Sequence, residues 1–81
     1  MIPITSPQTL GNTLRQHRKA QALTQSQAGE KFGIPQKTIS RIEAGVASVR
    51  LETLFRYMAA LGLELHLAPR EARANQVEEP W

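Results

Sequence analysis

Two short helix signals joined by a glycine, within residues 24–40, constrain the fold of this chain more than any other feature. Thr24 can cap a helix with its hydroxyl, and Gln27 three residues later completes a capping box. Gly33 stands where that helix must stop, because glycine tolerates the left-handed conformation needed there. Pro35 fits the first turn of a following helix, where its missing amide is no loss. The order and spacing of these signals predict a helix-turn-helix.

The second helix of this motif has one apolar side and one polar side. At about 100° per residue, Ile39, Ile42 and Glu43 fall on the side that faces the core. The opposite side carries Gln36, Lys37, Ser40, Arg41 and Ala44. Gln pairs with adenine, and Arg or Lys with guanine, when such side chains enter the major groove. We therefore expect Gln36, Lys37 and Arg41 to contact base edges, with Thr38 and Ser40 beside them at the bases or the backbone. The alternative is an ordinary solvated helix face.

The charge of the chain is concentrated near this motif. Residues 1–50 contain seven Lys and Arg against two Glu, whereas residues 51–81 contain three Arg against five Glu. A basic half that coincides with the helix-turn-helix favours a polyanion as the ligand. The predicted phosphate contacts are Thr24, Gln25 and Ser26 at the start of the motif's first helix, and Arg15, Lys19 and Arg50 beside it.

A helix precedes the motif and carries an inward-facing cation. Ser6 caps it and Pro7 begins it, and the pattern runs to about Gln21. Its apolar stripe of Leu10 and Leu14 continues one turn further at Arg18. A cation facing the core needs a partner, and Glu43 is the obvious one. We expect these two residues to form a largely buried, structural ion pair.

The remaining helices follow from hydrophobic periodicity. The motif's helices are predicted at about residues 25–32 and 36–44, and a loop covers 45–49. A fourth helix ends at Gly62, and its apolar residues indicate a core stripe formed by Leu51, Leu54, Phe55, Met58 and Leu61. Arg50 precedes this helix in place of a capping residue, so Ser48 is a candidate cap.

The segment that follows alternates strictly between apolar and polar residues. Leu63, Leu65 and Leu67 alternate with Glu64 and His66, which predicts a half-buried strand within residues 63–68. A lone strand needs a second one, so we expect it to pair with its copy in a homodimer. Residues 1–5 are predicted to be flexible, residues 6–62 to form the domain, and residues 69–81 to be a disordered tail.

Several classes of function find no support in the sequence. Without cysteine there is no disulfide, thiol nucleophile or thiolate metal site. His17 and His66 have no neighbouring ligand at metal spacing. The opening residues lack the features of a signal peptide, and no stretch is long and apolar enough to cross a bilayer. We expect a cytoplasmic protein that is not an enzyme and uses no catalytic residues, cofactor, metal or membrane.

Residues 10–61 resemble the phage-repressor and Cro type of helix-turn-helix domain, the XRE-like family. The shared residues are Arg18, Leu23-Thr24-Gln25, Gly33, Gln36, Ile39, Glu43, Gly45 and Leu51-Glu52-Thr53-Leu54. One departure is Ala28-Gly29, where the family has a pair such as Leu-Ala; a small residue there lets two helices cross closely. The strand-like segment and a polar tail ending in Trp81 are similar to HipB-type antitoxins.

The resemblance implies an all-α, four-helix domain like that of lambda repressor and Cro, with the short C-terminal strand added. It implies a homodimeric repressor that binds a palindromic operator in double-stranded DNA. It further implies a HipA-like kinase toxin as partner, with Trp81 inserted into a pocket on that toxin. The alternatives are a stand-alone XRE-type regulator without a toxin, and a protein-interaction module that has lost its DNA role.

Overall fold

A computed structural model describes residues 2–70 of the 81-residue chain. The described residues form four helices: α1 (Pro7–Ala20), α2 (Gln25–Phe32), α3 (Gln36–Glu43) and α4 (Leu51–Ala60). The four-helix fold predicted from the sequence is confirmed, and each helix begins or ends within a residue or two of its predicted position. None of these helices is long and apolar enough to cross a membrane.

Local signals in the sequence explain the ends of the first two helices. The Ser6 hydroxyl accepts a hydrogen bond from the backbone N–H of Thr9 at 3.1 Å, and Pro7 begins α1. Thr24 and Gln27 exchange side-chain and backbone hydrogen bonds of 3.1 and 2.9 Å, which completes the capping box of α2. Gly33 ends α2 at φ +69°, in the left-handed region where a side chain would be strained.

The N-caps of α3 and α4 differ from the prediction, although α3 begins at the predicted residue. Pro35 is the N-cap of α3 rather than a residue of its first turn. Arg50 is the N-cap of α4 and makes no capping hydrogen bond through its side chain. Ser48 does not cap α4, because its hydroxyl accepts a hydrogen bond from Arg41 at 2.6 Å. Both helices therefore depend on packing rather than on a side-chain cap.

The core lies where the inner faces of all four helices meet. Its most deeply buried large side chains are Leu14, Ile39 and Tyr57. The apolar stripe predicted for α4 is partly wrong, because Leu51 and Phe55 remain 66% and 44% exposed. The stripe that packs inward is Leu54, Tyr57, Met58 and Leu61. The spacing of apolar residues sets the period of the apolar stripe, but it does not set how the helix is rotated about its axis. In the structure, α4 is rotated so that Tyr57 faces the core.

Two glycines let α3 sit close to its neighbours. A Cβ at Gly11 of α1 would lie 2.4 Å from the carbonyl oxygen of Ile42. A Cβ at Gly29 of α2 would lie 2.6 Å from the carbonyl oxygen of Ile34, just before α3. Both distances are shorter than real contacts allow, so any side chain at these positions would push α3 away. The backbone of α1 therefore approaches α3 closely on one side, and the backbone of α2 closely approaches the residues at the start of α3 on the other.

Residues 63–69, which follow α4, form no regular secondary structure. Leu63 is half-buried against the core, whereas Leu65 and Leu67 are 53% and 90% exposed. The predicted strand is not formed within one copy of residues 2–70, as expected for a strand that pairs only in a dimer. Its pairing stays a prediction. Most of the predicted tail, residues 71–81, lies outside the described residues.

Candidate nucleic-acid interface

The outward side of α3 presents the polar residues that the sequence placed there. Gln36, Lys37, Ser40 and Arg41 are exposed, and Thr38 is half-buried at the edge of the helix. Ile39, Ile42 and Glu43 are buried on the opposite side. The Arg41 guanidinium donates a hydrogen bond to Ser48, which holds it beside the loop after α3. The helix thus offers an amide, an ammonium, a hydroxyl and a guanidinium on one surface.

The start of α2 supplies the first group of candidate phosphate contacts. Thr24 and Ser26 are exposed, and Gln25 is half-buried. The Thr24 oxygen accepts the capping hydrogen bond, so its own O–H hydrogen remains available to a phosphate oxygen. The basic residues predicted beside the motif are also exposed: Arg15, Lys19 and Arg50.

The ion pair between Arg18 and Glu43 is present, and it is the centre of a larger network. Arg18 Nε lies 2.7 Å from Glu43 Oε2, and Arg18 Nη2 lies 2.8 Å from Glu43 Oε1, so the pairing is bidentate. The two side chains are only 6% and 2% exposed. Arg18 Nη1 also donates to the backbone carbonyl of Leu23 at 2.7 Å. Two polar side chains in the core therefore satisfy each other.

Glu43 accepts two further hydrogen bonds that the sequence did not suggest. The Tyr57 hydroxyl donates to Glu43 Oε2, and Gln25 Nε2 donates to Glu43 Oε1 at 3.1 Å. The carboxylate on α3 is therefore tied to α1, α2 and α4 at once. The Gln25 amide nitrogen carries a second hydrogen, which is the one a phosphate can take. Glu43 thus orients a predicted phosphate contact.

Burial and hydrogen bonding shift the pKa values of three residues in this network. Burial raises the pKa of Glu43, but the hydrogen bonds from Arg18, Tyr57 and Gln25 outweigh it, so its pKa lies below the ordinary value. Burial, reinforced by the hydrogen bond to Glu43, raises the pKa of Tyr57 above the usual range. The hydrogen bond to Glu43 raises the pKa of Arg18. The carboxylate is ionised and the phenol neutral near pH 7.

Sequence reasoning missed Tyr57 and Arg56, for different reasons. Tyr57 follows Leu54 by three residues and precedes Leu61 by four, so the spacing is compatible with an inward Tyr57 but does not choose between it and Phe55. Arg56 Nη2 donates to the carbonyl oxygen of Gly33 at 3.1 Å, which links α4 to the turn of the motif. No local sequence pattern predicts the contact between Arg56 and Gly33, because the two residues are far apart in the sequence. Trp81 lies outside the described residues.

Nothing in residues 2–70 suggests a metal centre. No group of three or more His, Asp or Glu side chains lies close enough together there to hold an ion. His66 and Glu64 form a single exposed pair at 2.7 Å.

Comparison with known proteins gives the same family in sequence and in structure. The helix-turn-helix family model matches residues 14–67. The antitoxin HipB of Escherichia coli O6:H1 (strain CFT073) is 32% identical over 76 residues, which are 94% of this chain and 81% of that protein. The antitoxin HipB of Escherichia coli K12 is 36% identical over 64 residues, which are 79% of this chain and 73% of the length of that protein. The putative antitoxin HigA2 of Mycobacterium tuberculosis is 43% identical over 58 residues, 70% of this chain and 57% of its own length.

Solved HipB structures have the same fold. The HipB–O4 20mer complex aligns with a TM-score of 0.78 and 33% identity, covering 86% of this chain and 99% of that one. The HipA–HipB–O2–O3 complex aligns with the same TM-score of 0.78, the same 33% identity and the same coverage. Both alignments extend over most of this chain and nearly all of the HipB chain. The chain belongs to the helix-turn-helix family and, within it, to the HipB-type antitoxins.

Proposed function

We propose that this chain is a sequence-specific DNA-binding repressor that acts as the antitoxin of a HipA-type toxin–antitoxin module. As a homodimer it binds an inverted-repeat operator, and it also binds a HipA-like kinase toxin. Binding of a toxin is the property that distinguishes this proposal from a stand-alone XRE-type regulator.

The observation that carries the DNA-binding proposal is the construction of α3. Its outer face exposes Gln36, Lys37, Ser40 and Arg41, while its inner face is fixed by two buried isoleucines and by Glu43. A side chain reads a base edge only if the helix that carries it is held in a defined position, because hydrogen bonds are steeply directional. The network around Glu43 and the close approach of Gly11 and Gly29 supply that rigidity.

The proposed phosphate contacts come from α1, from the start of α2 and from the residue before α4. Gln25 begins α2, and its amide is oriented by Glu43. Arg15 and Lys19 are exposed on α1, and Arg50 is exposed just before α4. Contacts to the backbone carry no sequence information but fix the register of the protein on the duplex. We assign Thr24, Gln25, Ser26 and these basic residues to that positioning role, and α3 to sequence readout.

Dimerisation uses apolar surface that the single chain leaves exposed. Leu51 and Phe55 on α4 stay outside the core, as do Leu65 and Leu67 beyond it. A second copy that covers this surface would set two copies of α3 about 34–36 Å apart, to meet successive major grooves. A symmetric dimer then requires a symmetric operator.

The antitoxin role rests on the relatives and on Trp81. Both Escherichia coli relatives are antitoxins named HipB, and one solved HipB structure is a complex with HipA. Tryptophan is among the residue types most enriched at binding hot spots, and Trp81 is the one tryptophan in this sequence. We assign Trp81 to the toxin contact. A protein with this role acts in the cytoplasm and needs no enzymatic activity.

One purification and one titration test the proposal. Expressed from its native operon, the tagged chain should co-purify with an untagged HipA-like partner. Fluorescence anisotropy on a duplex from its own promoter should show tight binding that weakens steeply with salt, and weaker binding to a scrambled duplex. Operator binding without any co-purified partner would favour a stand-alone regulator. Equal affinity for both duplexes would overturn sequence-specific recognition.

A further inference from the structure

Arg41 differs from the other predicted base contacts on α3, because its side chain already has a partner in the protein. Its Nη2 donates a hydrogen bond to the Ser48 hydroxyl oxygen at 2.6 Å. Within residues 2–70, no hydrogen bond to another residue is made by the side chains of the other four: Gln36, Lys37, Thr38 and Ser40. The free protein therefore restricts the orientation of this one side chain.

The acceptor lies in the α3–α4 loop (residues 44–50), which is held near both of its ends. Near its start, a Cβ on Gly45 would lie 2.8 Å from the Cα of Gln8, so the loop backbone approaches the backbone of α1 closely. Near its end, Val49 packs against the core. Ser48 itself is exposed, between these two anchored residues. Its hydroxyl is therefore an acceptor in a defined position rather than at the end of a long side chain.

The bond to Ser48 leaves Arg41 able to contact a base. A guanidinium has more N–H donors than one hydroxyl oxygen can accept. Arg41 is exposed on the outer side of α3, and residues 2–70 supply no second hydrogen-bond partner for its guanidinium. Guanine presents two acceptors on its major-groove edge, which a guanidinium can take together. The same side chain can thus bind Ser48 and a base at once.

The orientation of this arginine affects how well it discriminates between bases. A long exposed side chain has many rotamers, and restricting them during binding costs entropy. Paired hydrogen bonds to a base edge also require a defined approach, since hydrogen bonds weaken steeply when misaligned. A bond to Ser48 that exists before binding removes part of this entropy cost. The benefit is confined to the base that Arg41 contacts.

We propose that Ser48 is a positioning residue for sequence readout, whose hydroxyl holds the Arg41 guanidinium in the orientation that contacts a base. The inference rests on the proposed function, in which α3 enters the major groove. Ser48 then sets part of the base preference from outside α3, without contacting the base itself. It acts through Arg41, so its effect on specificity requires that arginine.

A double-mutant cycle on base preference tests this role. Fluorescence anisotropy would compare wild type, Ser48→Ala, Arg41→Ala and the double variant on a duplex from the chain's own promoter and on its single-base variants. Arg41→Ala should lose discrimination at one base position in each half-site. Ser48→Ala should lose discrimination at that same position by about two- to tenfold, the range for one ordinary hydrogen bond. In the Arg41→Ala background, Ser48→Ala should change nothing further.

Ser48→Thr is the matched control, because it changes the side chain but keeps a hydroxyl. It should retain the wild-type preference at every base position. Both Ser48 and Arg41 are exposed, so all of these variants should unfold at the same urea concentration as wild type. Circular dichroism checks this, and it separates a change in base preference from a loss of folding.

The other outcomes would overturn the inference. Equal weakening of all duplexes by Ser48→Ala would make Ser48 a phosphate contact rather than a positioning residue. Unchanged or improved discrimination, the same loss in the Arg41→Ala background, or a Ser48→Thr variant that behaves like Ser48→Ala would also refute the role. If Arg41→Ala loses no discrimination, Arg41 contacts no base and the inference fails with it. These results leave the proposed function standing, whereas equal wild-type affinity for operator and scrambled duplex would overturn sequence-specific recognition itself.

Discussion

The carboxylate of Glu43 decides how firmly α3 is held. It accepts hydrogen bonds from Arg18 on α1, Gln25 on α2 and Tyr57 on α4. A charge this deeply buried is tolerated only because its partners satisfy it. Arg18 and Glu43 therefore have a structural role despite their charges. The amide of Gln25, a predicted phosphate contact, is also part of this buried network.

Removing Arg18 should destabilise the fold severely. Arg18→Ala leaves the Glu43 carboxylate buried with its cation missing, which typically costs about 3–5 kcal/mol. Thermal or urea unfolding followed by circular dichroism measures the loss. Arg15→Ala is the matched control, an exposed arginine on the same helix, and should change stability by less than about 0.5 kcal/mol. Equal stability of the two variants would show that the ion pair contributes nothing.

The same network predicts how stability depends on pH. The folded-state pKa of Glu43 is lowered from 4.5, so its stabilisation is complete above about pH 4.5 and is lost as the pH falls further. The folded-state pKa of Tyr57 is raised from 10.0, so its contribution is complete below about pH 10 and is lost as the pH rises further. Urea unfolding from about pH 3 to pH 11 should show both losses. Tyr57→Phe should reduce the alkaline loss selectively, and an unchanged alkaline limb would contradict the assignment.

At the scale of whole helices, local signals predicted most of the fold. The capping box at Thr24 and the glycine at 33 fixed the bounds of α2, because these signals act within one turn. The rotation of α4 was not predictable in the same way, since it depends on Tyr57 reaching Glu43 across the core. The polar face of α3 followed from geometry alone. The contact of Gln25 with Glu43 did not, because residues far apart in sequence carry no local pattern.

The crossing of α2 and α3 should be sensitive to a single methyl group. In Gly29→Ala the added Cβ would lie 2.6 Å from the Ile34 carbonyl oxygen, a backbone atom that cannot swing aside. Overpacking of this kind typically costs about 1–3 kcal/mol, and it should displace α3 enough to weaken operator binding. Lys31→Ala, an exposed change on the same helix, is the control for unfolding and binding measurements. A Gly29→Ala variant as stable as wild type would show that the two helices can separate without cost.

At the scale of the whole molecule, the two proposed binding activities lie on different parts of the chain. The proposed DNA contacts lie on α1, α2 and α3 and just before α4, all within the described residues. The proposed toxin contact belongs to the end of the sequence, at Trp81. Such a separation makes the two activities independently testable.

Trp81→Ala should affect the toxin and leave DNA binding intact. Loss of a buried hot-spot tryptophan typically costs at least about 2 kcal/mol of binding free energy, so affinity for the co-purified partner should fall by more than tenfold. Isothermal titration calorimetry measures the affinity for the toxin, and fluorescence anisotropy measures the affinity for the operator. Val77→Ala, a change within the same terminal stretch, is the control. Unchanged toxin affinity in Trp81→Ala would remove the tail from the toxin interface.

The central claim is that α3 reads base edges, and a specificity titration of Gln36→Ala tests it most directly. Anisotropy would compare wild type, Gln36→Ala and the phosphate-side control Lys19→Ala on the operator and on its single-base variants. Gln36→Ala should lose about 1–3 kcal/mol of discrimination at one base position in each half-site, while Lys19→Ala should weaken binding to all duplexes alike. If Gln36→Ala keeps the wild-type affinity ratios at every position, α3 does not read the operator through this residue and the account of the interface is wrong.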